Sequence, residues 1–287
     1  MSAAPRRWPA PAKLNLFLHV LGRRADGYHV LQTAFQFLDR CDWLTIAPRN
    51  DGVLRLHGGV PGVSDDANLV LRAARALQTA TGTRLGADLQ LDKRLPMGGG
   101  LGGGSSDAAT VLVVLDLLWQ TRLGAAALAE IGLSLGADVP VFVHGHAAWA
   151  EGVGEQLTPI DPPERWFVVL CPDCAVSTAD VFGDPELTRD TAPTTIHAFS
   201  IGAGRNDCEA LVRRRYPPVD QALSVLSAHG PARLTGTGAC VFAAFDARVA
   251  AERALADARR VGCVGFVARG CNRSPLHAAL DQAACSA

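Results

Sequence analysis

The residues best suited to chemistry lie in LPMGGGLGGGSSDAA, residues 95–109. Six glycines fall within the seven positions from Gly98 to Gly104, and Ser105 and Ser106 open the apolar stretch that follows. Glycine lets backbone N–H groups approach a ligand closely and adopt positive φ. A helix N-terminus adds free N–H donors and a dipole that favours an anion. Together they suit a polyphosphate. A linker could be as rich in glycine, but it would not normally run straight into a buried helix. The loop lacks the Lys-Ser/Thr of a Walker A loop. Gly98, Gly100 and Gly103 match GxGxxG. The dinucleotide fingerprint also needs a buried strand directly before the glycines and an acid about 20 residues on. Here Asp92, Lys93, Arg94 and Pro96 come first, and the region beyond is still helical.

Other candidates are single residues, each with a plain structural reading beside the chemical one. Asp138, in Gly-Ala-Asp-Val-Pro, reads by itself as a helix cap, since a proline follows two positions on. Lys13 is a lone charge among strand residues and by itself reads as an edge lysine with its head in water. Tyr28 and His29 lie in a loop, where an aromatic pair is less easily assigned to a core. Gly236, Thr237 and Gly238 could form a strand-entry turn. Asp107 would favour the helix dipole but would repel a nearby triphosphate.

These residues need elements to hold them. Lys13–Val20 alternates as a strand, and GRRADGYH forms a loop turning at Asp26-Gly27. Trp43–Ala47 and Val53–His57 read as a hairpin about Asn50, Asp51 and Gly52. Asn68–Ala80 has helical spacing, Ala87–Leu91 alternates, and Ser106–Trp119 is apolar all round, hence buried. A helix over Ala125–Leu135 ends at Gly136, and Arg165–Cys171 is a buried strand. Val176–Thr195, rich in Pro, Asp and Thr, reads as loop or linker. Helices over Val219–Ala228 and Val249–Arg259 and strands over Ala239–Phe245 and Gly265–Arg269 complete an α+β chain. Its two lobes are expected at 1–158 and 159–287.

Composition narrows the function. Lys plus Arg (27) nearly balances Asp plus Glu (28). That argues against a nucleic-acid or membrane-surface partner, which needs a basic excess on one face. The apolar run AATVLVVLDLLW is too short to span a bilayer, and the N-terminus makes a poor signal peptide. The eight cysteines show no ladder of spacings. They read as reduced thiols of a cytoplasmic protein. Cys171 and Cys174 form a lone CxxC with no second pair or nearby His to complete a zinc set.

PxxGGGLGGGSSxAA resembles the second motif of the GHMP kinases, the group containing galactokinase, homoserine kinase and mevalonate kinase. PAKLNLFLHV (11–20) resembles their first motif and LTGTGACVFAAF (234–245) their third, in the right order. GRRADGYH, LQTAFQFLD and LGADVPVFVHGHAAWAEGVGE resemble more narrowly the branch whose substrate carries a cytidine diphosphate linked to a sugar alcohol. The similarity runs from Pro11 to His277 and is weakest over residues 171–205. It implies an N-terminal lobe like domain 2 of ribosomal protein S5, a ferredoxin-like C-terminal lobe, and an active site in the cleft between them. It implies ATP-dependent phosphorylation of a hydroxyl in the non-mevalonate route to isoprenoid precursors, with Mg²⁺ and no obligate protein partner. By this resemblance Asp138 is the catalytic base, and Lys13 offsets charge on the transferring group. ATP would lie on Pro96, Met97, Gly98, Gly99, Gly100, Leu101, Gly102, Gly103, Gly104, Ser105 and Ser106, with Asn68 and Lys93 near adenine. The substrate would meet Asn15, Tyr28, His29, Phe35, Phe182, Gly236, Thr237 and Gly238, with cytosine stacked on Tyr28 and bonded by His29. Two other readings stand beside this one. A kinase of the same family acting on homoserine, mevalonate or a sugar would not call for the Tyr28-His29 loop. A non-catalytic nucleotide-binding regulator would be expected to have lost Lys13 or Asp138.

Overall fold

The computed structural model describes residues 6–60, 62–200, 202 and 204–285. The expected lobes also include residues 1–5 and 286–287, which lie outside the described residues. Two long strands, β1 (Arg7–Arg23) and β2 (His29–Arg49), form an antiparallel hairpin closed by the Asp26-Gly27 turn. The alternation in β1 does not mark a wet face. Leu14 and Phe17 are both fully buried, and so are most of their neighbours. The far side of β1 is covered by loops rather than by a strand. Lys13 N–H donates to the Leu101 carbonyl at 2.9 Å, and Leu18 N–H to that of Arg205 at 2.9 Å.

β3 (Leu54–His57) does follow the Asn50–Gly52 turn, but the expected hairpin does not form. β3 pairs in parallel with β4 (Gly86–Asp92), which lies between it and β2. Helix α1 (Leu69–Thr81) is the crossover, and a parallel pair requires such a connection. α1 starts at Asn68, whose side chain accepts from Val70 N–H, and ends at Gly82 in the left-handed region.

α2 (Gly103–Leu118), α3 (Gly124–Leu135) and α4 (Val139–His144) follow. Their apolar residues join those of α1 and of the β2–β4 face in one core, with Leu112, Leu115, Phe37 and Phe142 fully buried. β5 (Ala148–Glu151) and β6 (Gln156–Pro159) extend the sheet off β2. β7 (Trp166–Leu170) begins the second half.

The stretch read as a linker is ordered. α5 (Thr178–Gly183) lies within it, and Val176, Val181 and Leu187 are buried. After α6 (Ile196–Ser200) come α7 (Glu209–Arg215), α8 (Pro217–Ser227), β8 (Ala232–Leu234), β9 (Val241–Phe245), α9 (Arg248–Arg260), β10 (Gly265–Cys271) and α10 (Pro275–Ala284). β10 pairs with β7 and, through Gly270 and Cys271, with β2, so the main path runs β3-β4-β2-β10-β7-β9-β8. A core cluster at this junction draws Leu14 and Leu101 from one half and Phe167 and Phe242 from the other. A packed apolar core therefore joins the two parts of the sheet. Among the described residues no helix is long and apolar enough to cross a membrane.

Candidate active site

Two clefts share Gly100 and Ser105. The larger, about 710 Å³, is lined by Lys13, Asn15, Tyr28, His29, Phe35, Asp138, Phe182, Gly236 and Thr237. The smaller, about 380 Å³, is lined by the glycine loop with Asn68, Lys93, Pro96, Met97 and Asp107. Two expected residues line neither. Ser106 is fully buried on the inner side of α2, and Gly238 faces Leu234 and Val212.

The loop is shaped for an anion. Gly98, Gly100 and Gly102 have φ of +65°, +75° and +69°, at every second residue. Such alternation turns successive N–H groups into one concavity. It ends at the start of α2, where Gly102 caps the helix with no side-chain bond, leaving the terminal N–H groups and their dipole for a ligand. The loop is also clamped. A Cβ on Gly100 would run into the Thr235 carbonyl. Thr235 Oγ1 donates to the Gly100 carbonyl at 3.3 Å and accepts from Asn15 N–H at 3.0 Å. Cys240 N–H donates to the Gly99 carbonyl at 3.1 Å. The first and third motifs thus hold the second in place.

Lys13 is not a snorkelling edge residue. It is only 2 % exposed, because the loop closes over β1. A buried cation needs partners, and Lys13 has them. Its Nζ donates to Asn15 Oδ1 at 2.6 Å and to the Gly100 carbonyl at 3.1 Å, lies 3.1 Å from Asp138 Oδ2, and sits 5.2 Å from the Phe35 ring centre. Asn15 is steadied in turn by Thr33 Oγ1 at 3.0 Å. Asp138 does occupy the residue before α4, but in helical geometry and without a side-chain cap bond. Its carboxylate points to Lys13 and the cleft.

At the far end of the large cleft, Tyr28 is 65 % exposed, while His29 is buried against Phe182 with ring centres 5.0 Å apart. Arg189 was not singled out from the sequence, because it lies in the stretch read as a linker. Its Nε donates to His29 Nε2 at 3.0 Å, and its other guanidinium nitrogens donate to the carbonyls of Phe182, Asp184 and Leu187. Burial, then the charges of Arg189 and Arg23, holds the His29 pKa below 6.5. The ring is thereby kept neutral, with Nε2 as acceptor and Nδ1 carrying the proton.

Asp42 also escaped the sequence. It is fully buried and accepts from Lys93 Nζ and Arg94 N–H, each at 2.5 Å, and from Leu95 N–H at 2.7 Å, anchoring the chain that enters the loop. Lys93 also donates to Asp107 Oδ2 at 2.7 Å. Burial lowers the Lys93 pKa, but Asp107 and Asp42 outweigh it and leave the ammonium above its usual value. Burial pushes the Asp107 carboxyl up to about 7, against the pull of Lys93. One ammonium thus serves two buried carboxylates beside the nucleotide-sized cleft.

The description "GHMP kinases N terminal domain" matches residues 68–146, and "GHMP kinases C terminal" matches residues 194–262. The chain is 62 % identical over 271 residues to the 4-diphosphocytidyl-2-C-methyl-D-erythritol kinase of Alkalilimnicola ehrlichii, covering 94 % of this chain and 93 % of that one. It is 59 % identical over 273 residues to the same-named protein of Pseudomonas syringae pv. tomato, covering 95 % and 96 %. A crystal structure of 4-(cytidine 5'-diphospho)-2C-methyl-D-erythritol kinase superposes with a TM-score of 0.80 at 34 % identity, covering 92 % of this chain and 99 % of that one. The mevalonate kinase of Methanococcus jannaschii shares the fold, with a TM-score of 0.70 at 15 % identity, over 95 % of this chain and 100 % of that one. The chain belongs to the GHMP kinases and, within them, to the family of the 4-diphosphocytidyl-2-C-methyl-D-erythritol kinases.

Proposed function

We propose that this chain transfers the γ-phosphoryl group of ATP directly to the 2-hydroxyl of 4-diphosphocytidyl-2-C-methyl-D-erythritol. The observation that carries the reading is the Lys13–Asp138 pair, where a loop-lined cleft and a cleft that also holds Tyr28, His29 and Phe182 share Gly100 and Ser105. ATP occupies the smaller cleft, its phosphates on the loop N–H groups and the start of α2. The cytidyl substrate fills the larger one, with its base at Tyr28, His29 and Phe182 and its hydroxyl at Asp138. Asp138 takes the hydroxyl proton, and Lys13, held by three oxygens, offsets charge developing on the transferring group. Phosphoryl transfer of this kind depends mostly on positioning and electrostatics.

A magnesium ion carried on the triphosphate fits this cleft without a protein cage. Among the described residues no group of three or more His, Cys, Asp or Glu side chains could hold a metal alone. Ser105 lines both clefts, and its hydroxyl is the protein group that would join the shell of such an ion, which keeps phosphate and water oxygens. When bound, it neutralises phosphate charge.

The test is ADP release measured with a panel of acceptors. We expect turnover with the cytidyl substrate and none with mevalonate, homoserine or galactose. Equal turnover with any of those three overturns the proposal.

A further inference from the structure

We propose that Cys171 and Cys240 are a modification site, a thiol pair that a peroxide converts to a disulfide and that thereby loosens the glycine loop. Cys171 directly follows β7 and Cys240 directly precedes β9. Leu170 faces Val241 in that antiparallel pair, so the next register position sets Cys171 opposite Cys240. The backbone groups of both point away from each other. Cys240 N–H donates to the Gly99 carbonyl, its carbonyl accepts from Thr235 N–H, and Cys171 N–H donates to the Val264 carbonyl. This is the non-hydrogen-bonded kind of cross-strand pair, whose Cα atoms lie about 4.5 Å apart with side chains close together. A disulfide accepts Cα separations of about 4.4–6.8 Å, so no strand need move far. In that register the two side chains leave the same face of the β7–β9 pair, and both thiols are free.

The roles of the two sulfurs divide by environment. Cys171 is half-buried, whereas Cys240 is buried. The neighbouring Cys240 thiol, with help from Arg40, holds the Cys171 pKa below its usual value, while the Cys171 sulfur and burial push Cys240 up. Cys171 is therefore the attacking thiolate. It attacks one oxygen of hydrogen peroxide. The O–O bond breaks, water leaves once the hydroxide takes a proton, and Cys171 becomes a sulfenic acid. The Cys240 sulfur then displaces that hydroxyl as a second water. Two thiols lose two electrons and the peroxide gains them. A dithiol reductant reverses the bridge by exchange.

The consequence follows from what Cys240 touches. A Cβ placed on Gly99 would lie 2.5 Å from Cys240 Sγ, so this sulfur packs directly under the loop. Turning it toward Cys171 withdraws that support and pulls on the Cys240–Gly99 bond. ATP affinity then falls.

The experiment treats the full chain with hydrogen peroxide, maps disulfides by mass spectrometry without reduction, and measures ATP binding by calorimetry. Neither readout depends on the identity of the phosphoryl acceptor. We expect a Cys171–Cys240 bridge and weaker ATP binding, both reversed by dithiothreitol. Cys171→Ser should bind ATP normally before and after peroxide, and Cys174→Ser should respond like the wild type. If Cys171→Ser does not fold, the wild-type map and titration decide alone. A Cys171–Cys174 bridge, no bridge at all, or a Cys171–Cys240 bridge with unchanged ATP affinity overturns the proposal.

Discussion

Replacing Tyr28 by Ala separates recognition of the base from everything else in the cleft. The Tyr28 side chain is 65 % exposed, so its removal leaves no core cavity. The backbone of its turn is held independently: Tyr28 N–H donates to Asp26 Oδ1 at 3.1 Å, and Arg24 N–H donates to the Tyr28 carbonyl at 2.7 Å. Folding should therefore be unaffected. Stacking of a base on an aromatic ring is worth roughly 1–3 kcal/mol, or about 5- to 150-fold in affinity. That loss should fall on the KM for the cytidyl substrate, because a contact remote from the reacting hydroxyl acts alike on ground and transition states. The KM for ATP should hold, since Tyr28 lines only the larger of the two clefts. Tyr28→Phe should be nearly silent, because it keeps the ring face. Saturation curves in each substrate for wild type and both variants are the assay. A Tyr28→Ala enzyme that loses affinity for both substrates alike, or for neither, refutes the reasoning.

Asp138→Asn should lower kcat by about 10²- to 10⁴-fold, less if proton removal is late in a loose transition state. Its melting temperature should stay the same, because the Asp138 side chain makes no cap bond and Lys13 keeps two other acceptors; a large thermal shift with normal kcat would make it a structural residue. Gly102→Val should abolish ATP binding in a folded protein, as φ is +69° and a Cβ would lie 2.9 Å from Phe142 Cζ and 3.0 Å from Lys13 Cε; calorimetry with unchanged ATP affinity contradicts this. The KM for the cytidyl substrate should be flat above pH 6.5 and rise only below it. His29 has a pKa depressed below 6.5, so the neutral ring and its share of stability are present above that value and lost as pH falls. A KM that instead rises from pH 7 to 8 would contradict a neutral His29.

The glycine loop was the most legible part of the chain, because glycine spacing reports backbone geometry directly. The left-handed residues 98, 100 and 102 are all glycines. What sequence could not show was the covering of β1. Alternation gave a strand over Lys13–Val20 with Lys13 read as an edge lysine, but the loop and residues 205–207 close the strand's far side. That closure turns Lys13 from a surface residue into a buried cation. The false β2–β3 hairpin came from reading a turn as proof of pairing, whereas a later strand inserted between the two. Arg189 was lost inside the supposed linker, although Ser177 and Asp180 carried a cap signature there; Ser177 Oγ does accept from Asp180 N–H. α10 was not read from the sequence either, although Ser274 caps it and Pro275 opens its first turn. Asp42 and Asp107 gave no periodic signal, because their importance lies in sharing one lysine across elements far apart in sequence.

The most direct test of the account identifies the product itself. ATP and the cytidyl substrate are incubated with the enzyme, and the phosphorus NMR spectrum of the purified product is recorded. The account predicts one new phosphate monoester resonance on the erythritol, an unchanged cytidine diphosphate pair, and one ADP per product. A new resonance on the diphosphate, or ADP with free phosphate and no new ester, would contradict direct transfer to the hydroxyl at Asp138.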